Sequence, residues 1–261
     1  MNKKDLKIST KKDFFDPSIP GEKAQIGHLH PITQVLKKVI DIFSEMGFSV
    51  VEGPEVETEW YNFDALNIPK DHPARDMWDT FWLKDKNLLR THTSPVQIRH
   101  LEKNNPPLRI IAPGRIFRHE ATDASHEINF YQVEGLMIDR EISAANFKAI
   151  IQEFFSRFFN KVVEARLRPS FFPFTEPSFE VDMSCVVCEG TGCSTCSQTG
   201  WIELMGAGMV HPNVLKSVRM NPKNWQGFAF GIGLDRLTMM KYKINDIRML
   251  YSGDLRFLKQ F

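Results

Sequence analysis

Alternating apolar and polar residues near the middle of the chain predict two strands joined by a polar loop. The first strand is predicted over residues 108–112, resuming at 115–117, and the second over residues 129–138. Residues two apart on a strand share one face of the sheet. One face is therefore expected to carry polar and aromatic side chains together, with a histidine in the loop above. The group comprises Arg118, Glu120, Phe130, Gln132 and Glu134, with His126 in the loop.

Apolar residues at helical spacing predict two long amphipathic helices. The first covers residues 30–46, has a proline in its first turn and ends before Gly47. The second covers residues 143–163 and is expected to support the sheet from behind. A shorter helix follows Ser94, whose hydroxyl is predicted to cap the helix N-terminus.

Three further strand-like runs are predicted in the second half of the chain. Residues 165–168 precede a Phe-Pro-Phe bend at 172–174, which aims two aromatic rings in one direction. A strand begins at Trp201 and is followed by a glycine turn around residues 206–208. The last run, residues 228–233, ends in glycines and leads into a helix.

Length and composition predict one large folded domain or two small ones. The chain has 261 residues, of which 42% are hydrophobic, so it can bury a substantial core and is not a disordered chain. A net charge of +1 gives no sign of nucleic-acid binding over the whole surface. No apolar run has the length of a membrane span, and the lysine-rich N-terminus has no apolar signal core. We therefore expect a cytoplasmic protein with a basic, flexible tail over residues 1–27 and one domain over 28–261.

All four cysteines lie in one short segment with the spacing Cys-x2-Cys-x4-Cys-x2-Cys. Paired Cys-x2-Cys units match the spacing of thiolate ligands around a tetrahedral metal ion. Zinc is the favoured occupant, in a closed structural site within an insert over residues 185–200, and an iron–sulfur cluster or reduced thiols are the alternatives. The gap of four residues is shorter than in a standard zinc ribbon. The ligands would be Cys185, Cys188, Cys193 and Cys196.

Three segments together resemble the signature motifs of the class II aminoacyl-tRNA synthetases. Residues 117–134 contain Phe-Arg-x-Glu and then His-x3-Phe-x3-Glu, which resembles motif 2. Residues 47–54, Gly-Phe-x2-Val-x2-Pro, are similar to motif 1, and residues 231–236, Gly-Ile-Gly-Leu-Asp-Arg, to motif 3. Asp235 stands where glutamate is common in that family. Over about residues 28–261 the chain resembles the α subunits of bacterial phenylalanyl-tRNA synthetases.

The resemblance implies an α+β catalytic domain, with a mixed, mostly antiparallel sheet flanked by helices and a small four-cysteine insert. It also implies ATP-dependent activation of L-phenylalanine to phenylalanyl-adenylate and transfer to the 3′-terminal ribose of tRNA(Phe). Mg²⁺ would accompany ATP. A β subunit is the expected partner, or self-association through the motif 1 region, residues 35–54. The long helical hairpin that usually precedes this domain has no counterpart here, so we expect either a trimmed core or a minimal form.

The resemblance also assigns roles to individual residues. Arg118 would bridge the α-phosphate and the substrate carboxylate, and Arg236 would hold the outer phosphates. The residues expected at ATP are Arg118, Glu120, His126, Phe130 and Arg236. The residues expected at phenylalanine are His92, Ser94, Gln97, Gln132, Glu134, Phe172, Phe174 and Ala229.

The remaining expectations concern the Mg²⁺ ligands and two alternative functions. Glu203, with Glu176, is the candidate for holding Mg²⁺, which favours carboxylate oxygens, and the sequence leaves open which acid holds the ion. One alternative function is a related ligase for another amino acid, such as phosphoserine, and the other is a non-catalytic binding or assembly protein. A phosphate side chain would need basic residues at the pocket floor, where this chain offers Phe172, Phe174 and Ala229.

Overall fold

A seven-stranded sheet runs through the centre of the fold. The computed structural model describes residues 21, 27–75, 78–193 and 196–261. In the sheet, strand order is β1-β4-β5-β9-β8-β7-β6, with β1 parallel to β4 and the other neighbours antiparallel, while β2 and β3 form a separate pair. The strands are β1 (Ser49–Val50), β2 (Val56–Thr58), β3 (Asn87–Leu89), β4 (Leu108–Phe117), β5 (Asn129–Asp139), β6 (Ala165–Phe172), β7 (Thr175–Ser184), β8 (Trp201–Val210) and β9 (Gln226–Gly233).

Helices cover both faces of this sheet. On one face, α1, α4 and α6 bury apolar side chains such as Phe43, Phe154 and Leu237. On the other face, α3 and α5 contribute side chains such as Ile98 and Leu215 to a second core. The helices are α1 (Pro31–Glu45), α2 (Glu59–Asn62), α3 (Pro95–Leu101), α4 (Ala144–Phe159), α5 (Pro212–Ser217), α6 (Leu234–Tyr242) and α7 (Leu255–Leu258). The predicted fold class, a mostly antiparallel sheet flanked by helices, is confirmed.

The predicted hairpin of β4 and β5 forms with the expected faces. Gly114 pairs with Gln132, and Ala112 pairs with Glu134. On the far side of β5, Glu134 pairs with Gly231 of β9. A Cβ atom at Gly231 would lie 2.4 Å from the amide nitrogen of Gln132, so glycine is required there for the polar side chains of β5 to occupy this face.

Two predicted element boundaries are wrong. The second long helix ends at Phe159, because Asn160 adopts a left-handed conformation with φ of 52°. The glycine turn predicted at residues 206–208 is absent, since β8 continues to Val210. Gly208 lies within the strand, and glycine is required at this position because a Cβ atom would lie 2.5 Å from the carbonyl oxygen of Pro177.

The described residues include little of the N-terminal tail. Of the basic tail predicted over residues 1–27, only Gly21 and Gly27 are among the described residues. Within the described ranges, the helices are too short or too polar to span a membrane.

Candidate active site

Two adjoining cavities open over the central strands on the face that carries the polar side chains of β5. The first has a volume of about 310 Å³ and the second about 300 Å³. Both volumes fall near the lower end of the range for small-molecule sites. The cavities share a wall and therefore form two halves of one site. The shared lining residues are Arg118, Gln132, Glu203, Gly206 and Gly231.

The first cavity gathers most of the residues expected at the amino acid. The lining includes His92, Gln97, Gln132, Glu134, Phe172, Phe174 and Ala229. Ser94 stands behind the lining and donates to Glu134. The sequence did not single out several others as site residues: Trp78, Glu180, Gly206, Ala207, Phe230 and Gly231. Trp78 belongs to a run of aromatic residues, which is typical of a core, and nothing in the spacing of Glu180 distinguishes it from a surface acid.

Glu134 is the centre of a hydrogen-bond network at the base of the first cavity. Its Oε1 accepts from the Ser94 hydroxyl at 2.7 Å and from the Gln132 amide at 3.1 Å, and its Oε2 accepts from the Gln97 amide at 2.8 Å. Burial raises the pKa of Glu134 to about 7, although the hydrogen bonds from Ser94 and Gln97 and the charge of Arg90 oppose the rise. This carboxylate is held in place by neutral donors and can accept a cation.

The Ser94 contact corrects the capping prediction. Ser94 does stand at the N-cap position of α3, but its side chain makes no capping hydrogen bond. The hydroxyl is directed at Glu134 instead. The helix begins at Pro95, which has no N–H to satisfy, so the serine side chain is available for the site.

His92 lies buried beside this network. Within the described residues, neither ring nitrogen has a well-aligned hydrogen-bond partner. Burial and the charges of Arg118 and Arg90 lower the pKa of His92 to about 3, and a weak contact with the Asn62 backbone opposes the change. His92 is therefore a neutral imidazole at physiological pH. The ring packs edge-on against Trp78 with centroids 5.3 Å apart.

Aromatic rings form the apolar end of the first cavity, as the Phe-Pro-Phe pattern predicted. The rings of Phe172 and Phe174 stack with centroids 6.0 Å apart and planes 10° apart, and Phe174 stacks on Trp78 at 6.1 Å. A Cβ atom at Gly206 would lie 2.7 Å from the Phe172 ring. The absent side chain at Gly206 thus allows the Phe172 ring to lie flat on β8.

The second cavity gathers all the residues expected at ATP. Its lining includes Arg118, Glu120, His126, Phe130 and Arg236. Phe130 and Arg118 lie together, with the guanidinium carbon 5.2 Å from the ring centroid. Arg236, in the first turn of α6, is exposed and makes no ion pair with another described residue. This half of the site combines an aromatic ring with cations, which suits a nucleotide.

Arg118 connects the two halves. Its Nε donates to the carbonyl oxygen of Thr91 at 3.1 Å, and its Nη1 lies 3.9 Å from Glu120. Burial lowers the pKa of Arg118 from its ordinary value, although the charges of Glu120 and Glu134 oppose that change. The side chain stays cationic, since an arginine pKa has far to fall before it nears neutral pH.

The structure does not bring Glu176 and Glu203 together, so one ion cannot bind both. Glu203 lines both cavities. Glu176 lines a different groove, where it pairs with His211 at 3.2 Å. Asp182 of β7 pairs with Glu203 of β8, and Glu176 is six residues earlier on β7, which places it about 20 Å away. Of the two candidates for holding Mg²⁺, Glu203 therefore borders the two cavities and Glu176 does not. The sequence left that choice open, because spacing along the chain gives no position along the sheet.

Arg168 joins three carboxylates on the wall of the first cavity. Its three nitrogens reach Glu180 at 2.8 Å, Glu203 at 2.9 Å and Asp182 at 2.7 Å. Hydrogen bonds to Asp182 and Glu203 raise the pKa of Arg168. Arg166 adds a second cation at Asp182, at 2.7 Å. The arrangement keeps Glu203 oriented at the boundary between the cavities.

The four cysteines come together as the spacing predicted. Their sulfur atoms all lie within 4.8 Å of one another. Three separations are 3.8, 3.8 and 3.7 Å, for the pairs Cys185–Cys193, Cys188–Cys196 and Cys193–Cys196. A tetrahedron with metal–sulfur bonds of about 2.3 Å has sulfur–sulfur edges of about 3.8 Å. The short gap between the pairs is therefore compatible with a tetrahedral metal site.

Backbone donors complete this group. The amides of Gly192 and Gly200 donate to the sulfurs of Cys188 and Cys196 at 3.2 and 3.3 Å. Gly192 and Gly200 both have positive φ, which permits the tight turns around the sulfurs. Amide donation stabilises thiolates, so the donor set fits a cation.

Comparisons with known proteins agree on one family. A family model described as "tRNA synthetases class II core domain (F)" matches residues 14–261. The phenylalanine–tRNA ligase alpha subunit of Leptospira biflexa is 57% identical over 250 residues, covering 96% of this chain and 73% of the relative. That of Petrotoga mobilis is 54% identical over 261 residues, covering 99% of this chain and 76% of the relative.

A solved structure supports the fold alone. The pyrrolysyl-tRNA synthetase of Desulfitobacterium hafniense superposes with a TM-score of 0.65 at 18% identity. The match covers 87% of this chain and 75% of that one. At that identity, the likeness extends to the arrangement of strands and helices.

Proposed function

Because the chain belongs to the class II tRNA synthetase core family, as one of its phenylalanine–tRNA ligase alpha subunits, we propose how its residues divide the ligase reaction. The enzyme joins phenylalanine to tRNA in two steps. A carboxylate oxygen of phenylalanine attacks the α-phosphorus of ATP, and pyrophosphate leaves. The phenylalanyl group of the adenylate then passes to the 3′-terminal ribose of tRNA(Phe), and AMP leaves.

The observation that carries the division of roles is the position of Arg118 between the two cavities. One cavity has a buried carboxylate and aromatic rings, and the other has an aromatic ring and cations. Arg118 would contact the attacking carboxylate and the α-phosphate together. Its fixed charge would offset the negative charge that accumulates in the transition state, where preorganised donors contribute most.

At the amino-acid end, Glu134 would accept the α-ammonium group of phenylalanine. Ser94 and Gln97 hold the carboxylate in place, and the Oε1 of Gln132, which has no partner among the described residues, offers a second acceptor. The phenyl ring would lie against Phe172 and Phe174, with Ala229 at the far end. Aromatic rings gain from such contacts beyond the area they bury.

At the nucleotide end, Phe130 would stack on adenine, and His126 and Arg236 would hold the outer phosphates. Glu120 would join them at ATP, in the same cavity. Glu203 would hold Mg²⁺, because its carboxylate borders both cavities and Mg²⁺ is usually bound through one or two carboxylates. The ion would neutralise phosphate charge. Glu176 could serve only a separate ion in its own groove.

The cysteine group would hold a structural Zn²⁺. Four thiolates leave no open position for a substrate, so the metal would stabilise the turn between β7 and β8 and take no part in the chemistry. Support comes from the sulfur separations, which match the edges of a tetrahedron, and from the amide donors to sulfur.

The partners follow from the family. The relatives are named alpha subunits, which implies a β subunit. ATP, phenylalanine and tRNA(Phe) would be the substrates, and the enzyme would act in the cytoplasm, where these substrates are available. We also propose one catalytic domain over residues 28–261, with residues 185–200 as a metal-binding insert.

A ligase for phosphoserine has no support in the first cavity. Arg118 is the one arginine or lysine in its lining, among the described residues, and it serves the reacting end. Glu180 and Glu203 on the wall would repel a phosphate side chain. A non-catalytic role does not account for the cations and the buried carboxylate that converge on one site.

Amino-acid-dependent pyrophosphate exchange tests the proposal. We expect exchange with phenylalanine and little with the other amino acids. Arg118→Ala should lower the rate roughly a hundredfold or more, as loss of one charge-stabilising donor does. The matched control is Arg115→Ala, since Arg115 is exposed and lies 3.7 Å from Glu55, outside both cavities. A fully active Arg118→Ala enzyme would remove Arg118 from the mechanism.

A further inference from the structure

Asp235, the residue before Arg236, is a nearly buried residue in the wall of the second cavity. It is 2% exposed in the first turn of α6. Its Oδ2 accepts from the backbone amide of Tyr131 at 2.7 Å, and its Oδ1 accepts a short hydrogen bond from the hydroxyl of Tyr251. Burial raises the pKa of Asp235, and the hydrogen bonds from Tyr251 and Tyr131 oppose the rise. Both oxygens are therefore engaged within the protein.

The Tyr131 contact extends the sheet by one bond. Pairing between β5 and β9 ends at Gln132 and Gly233, because the chain turns into α6 at Leu234. The carboxylate of Asp235 supplies the acceptor for the amide of Tyr131, the residue of β5 that lies just beyond this last pair. That residue directly follows Phe130, so the contact fixes the backbone that carries the ring proposed to stack on adenine.

The Tyr251 contact links the same point to the C-terminal segment. The short helical turn Ile247–Leu250 precedes Tyr251. The backbone amide of Ile247 donates to the carbonyl oxygen of Ala124 at 2.9 Å, within the loop that carries His126. The Nε2 atom of His30 bonds the carbonyl oxygen of Leu250 at 2.8 Å. The segment thus holds the loop above the second cavity and the base of α6 at once.

We infer that Asp235 and Tyr251 are positioning residues for the nucleotide. They join the Phe130 end of β5 to the first turn of α6 and so set the separation between the Phe130 ring and the Arg236 side chain. The inference rests on the proposed roles of Phe130 and Arg236 at ATP. Neither Asp235 nor Tyr251 needs to contact ATP for this effect.

The two ends of one ATP molecule make the separation important. Adenine and the outer phosphates bind at opposite ends of the cavity, so a shift of β5 against α6 loosens one contact or the other. Misplacement by about 1 Å can cost up to a hundredfold in rate. Phenylalanine binds in the other cavity, at Glu134 and the aromatic rings, and should be affected little.

Steady-state exchange kinetics on the assembled enzyme test the inference. We expect Tyr251→Phe and Asp235→Asn to raise KM for ATP about tenfold and to leave KM for phenylalanine within about twofold. Asp235→Glu keeps the charge and should restore part of the affinity for ATP. The matched control is Tyr242→Phe, because Tyr242 also lies at α6 but donates to Gln34.

Tyr251→Phe removes one oxygen atom and leaves the apolar packing, so it should retain the fold if Asp235→Asn does not. A fall in kcat without a selective rise in KM for ATP would indicate a merely structural role and overturn the inference. So would an effect no larger than that of Tyr242→Phe.

Phe130→Ala and Arg236→Ala separate this inference from the proposed function. If both raise KM for ATP while Asp235→Asn and Tyr251→Phe do not, the positioning role is wrong and the ATP assignment stands. If neither raises KM for ATP, the ATP assignment itself is wrong, and the inference falls with it.

Discussion

Glu134 shows how burial turns an ordinary carboxylate into a titrating group near neutral pH. The sequence was sufficient to predict the face of β5 on which Glu134 lies, but it was not sufficient to predict the protonation state of Glu134. That state depends on Ser94 and Gln97, which arrive from α3 about forty residues earlier. Such long-range packing has no local signal, so the raised pKa could not be predicted.

Phenylalanine binding is expected to strengthen as pH rises through about 7, because ionised Glu134 attracts the α-ammonium group. At pH 6 about a tenth of Glu134 would be ionised, so Kd should be about tenfold higher than at pH 8. Calorimetric titration with phenylalanine measures this, and Glu134→Gln should abolish the slope. His92 cannot supply it, since its pKa lies near 3. An unchanged slope in Glu134→Gln would assign the titration to another group.

The same shift affects stability with a definite sign. Between the ordinary carboxylate pKa of 4.5 and about 7, the folded state keeps a proton that the unfolded state has lost. The contribution of Glu134 to stability is therefore complete below pH 4.5 and is lost as pH rises through about 7. Thermal unfolding of the wild type and Glu134→Gln across this window should show the difference.

Ala229 is expected to set the length of the side-chain pocket. It lies 6% exposed on β9, between Leu136 and Gly208 of the neighbouring strands, and lines the first cavity. Ala229→Gly should open space beyond the phenyl ring and favour para-halogenated phenylalanines. Ala229→Val should disfavour phenylalanine itself, at a cost on the order of 1–3 kcal/mol from overpacking.

Pyrophosphate exchange with phenylalanine and its para-substituted analogues measures both variants. Tyrosine should remain a poor but measurable substrate, since an apolar pocket rejects an added hydroxyl only roughly a hundredfold. If neither variant alters the ratio of para-substituted to plain phenylalanine activity, Ala229 does not line the pocket.

At the scale of elements, the four-cysteine insert ties together the end of the β7–β8 hairpin. Ser184 pairs with Trp201, and the amide of Cys185 donates to the carbonyl oxygen of Gly200 at 2.8 Å. Glu203, which borders both cavities, lies two residues beyond Trp201. The metal would therefore stabilise a strand end close to the site.

We expect about one zinc per chain and loss of order in the insert when zinc is chelated. Metal analysis of protein purified without chelator gives the content, and hydrogen exchange follows the hairpin. Protection should fall around residues 184–202 while α1 stays protected. Cys188→Ser should lose the metal, and the matched control Ser197→Ala should keep it. Protein with intact cysteines and no zinc would contradict the assignment.

The elements also show where sequence patterns predict well and where they fail. Helical spacing was sufficient to predict α1, because that helix buries one face and repeats its own period. Alternation was sufficient to predict which side chains of β5 share a face, although residues 133–138 are buried on both faces of the strand. The glycines of β8 were misjudged as a turn. These positions require glycine because of residues outside β8: a side chain at Gly206 would clash with the Phe172 ring, and one at Gly208 would clash with the Pro177 carbonyl oxygen. When a residue on a neighbouring strand makes glycine necessary, the local sequence around that glycine does not reveal the reason.

At the scale of the whole molecule, only part of the motif 1 region, residues 35–54, is exposed and available for an interface. Val35, Val39 and Phe43 of α1 are fully buried in the core, so they cannot form an interface. The sequence could not separate core from interface, because both require apolar residues at helical spacing. Exposed apolar side chains lie on β1, within that region, and also on β2, α2 and the segment before β3. They are Val50, Val56, Trp60, Trp82 and Leu83.

The chain is expected to associate with itself or with a β subunit, and Trp60 and Trp82 are the candidates for the contact. Trp60 and Trp82 are each about half exposed, and large exposed aromatics commonly act as anchors of interfaces. Trp60→Ser and Trp82→Ser should weaken association in light scattering or in co-purification with the β subunit. Val162→Ser is the control, since Val162 is 95% exposed far along the chain in the loop after α4. A clean monomer at high concentration would exclude self-association, and tryptophan variants that still bind the β subunit as wild type does would place its interface elsewhere.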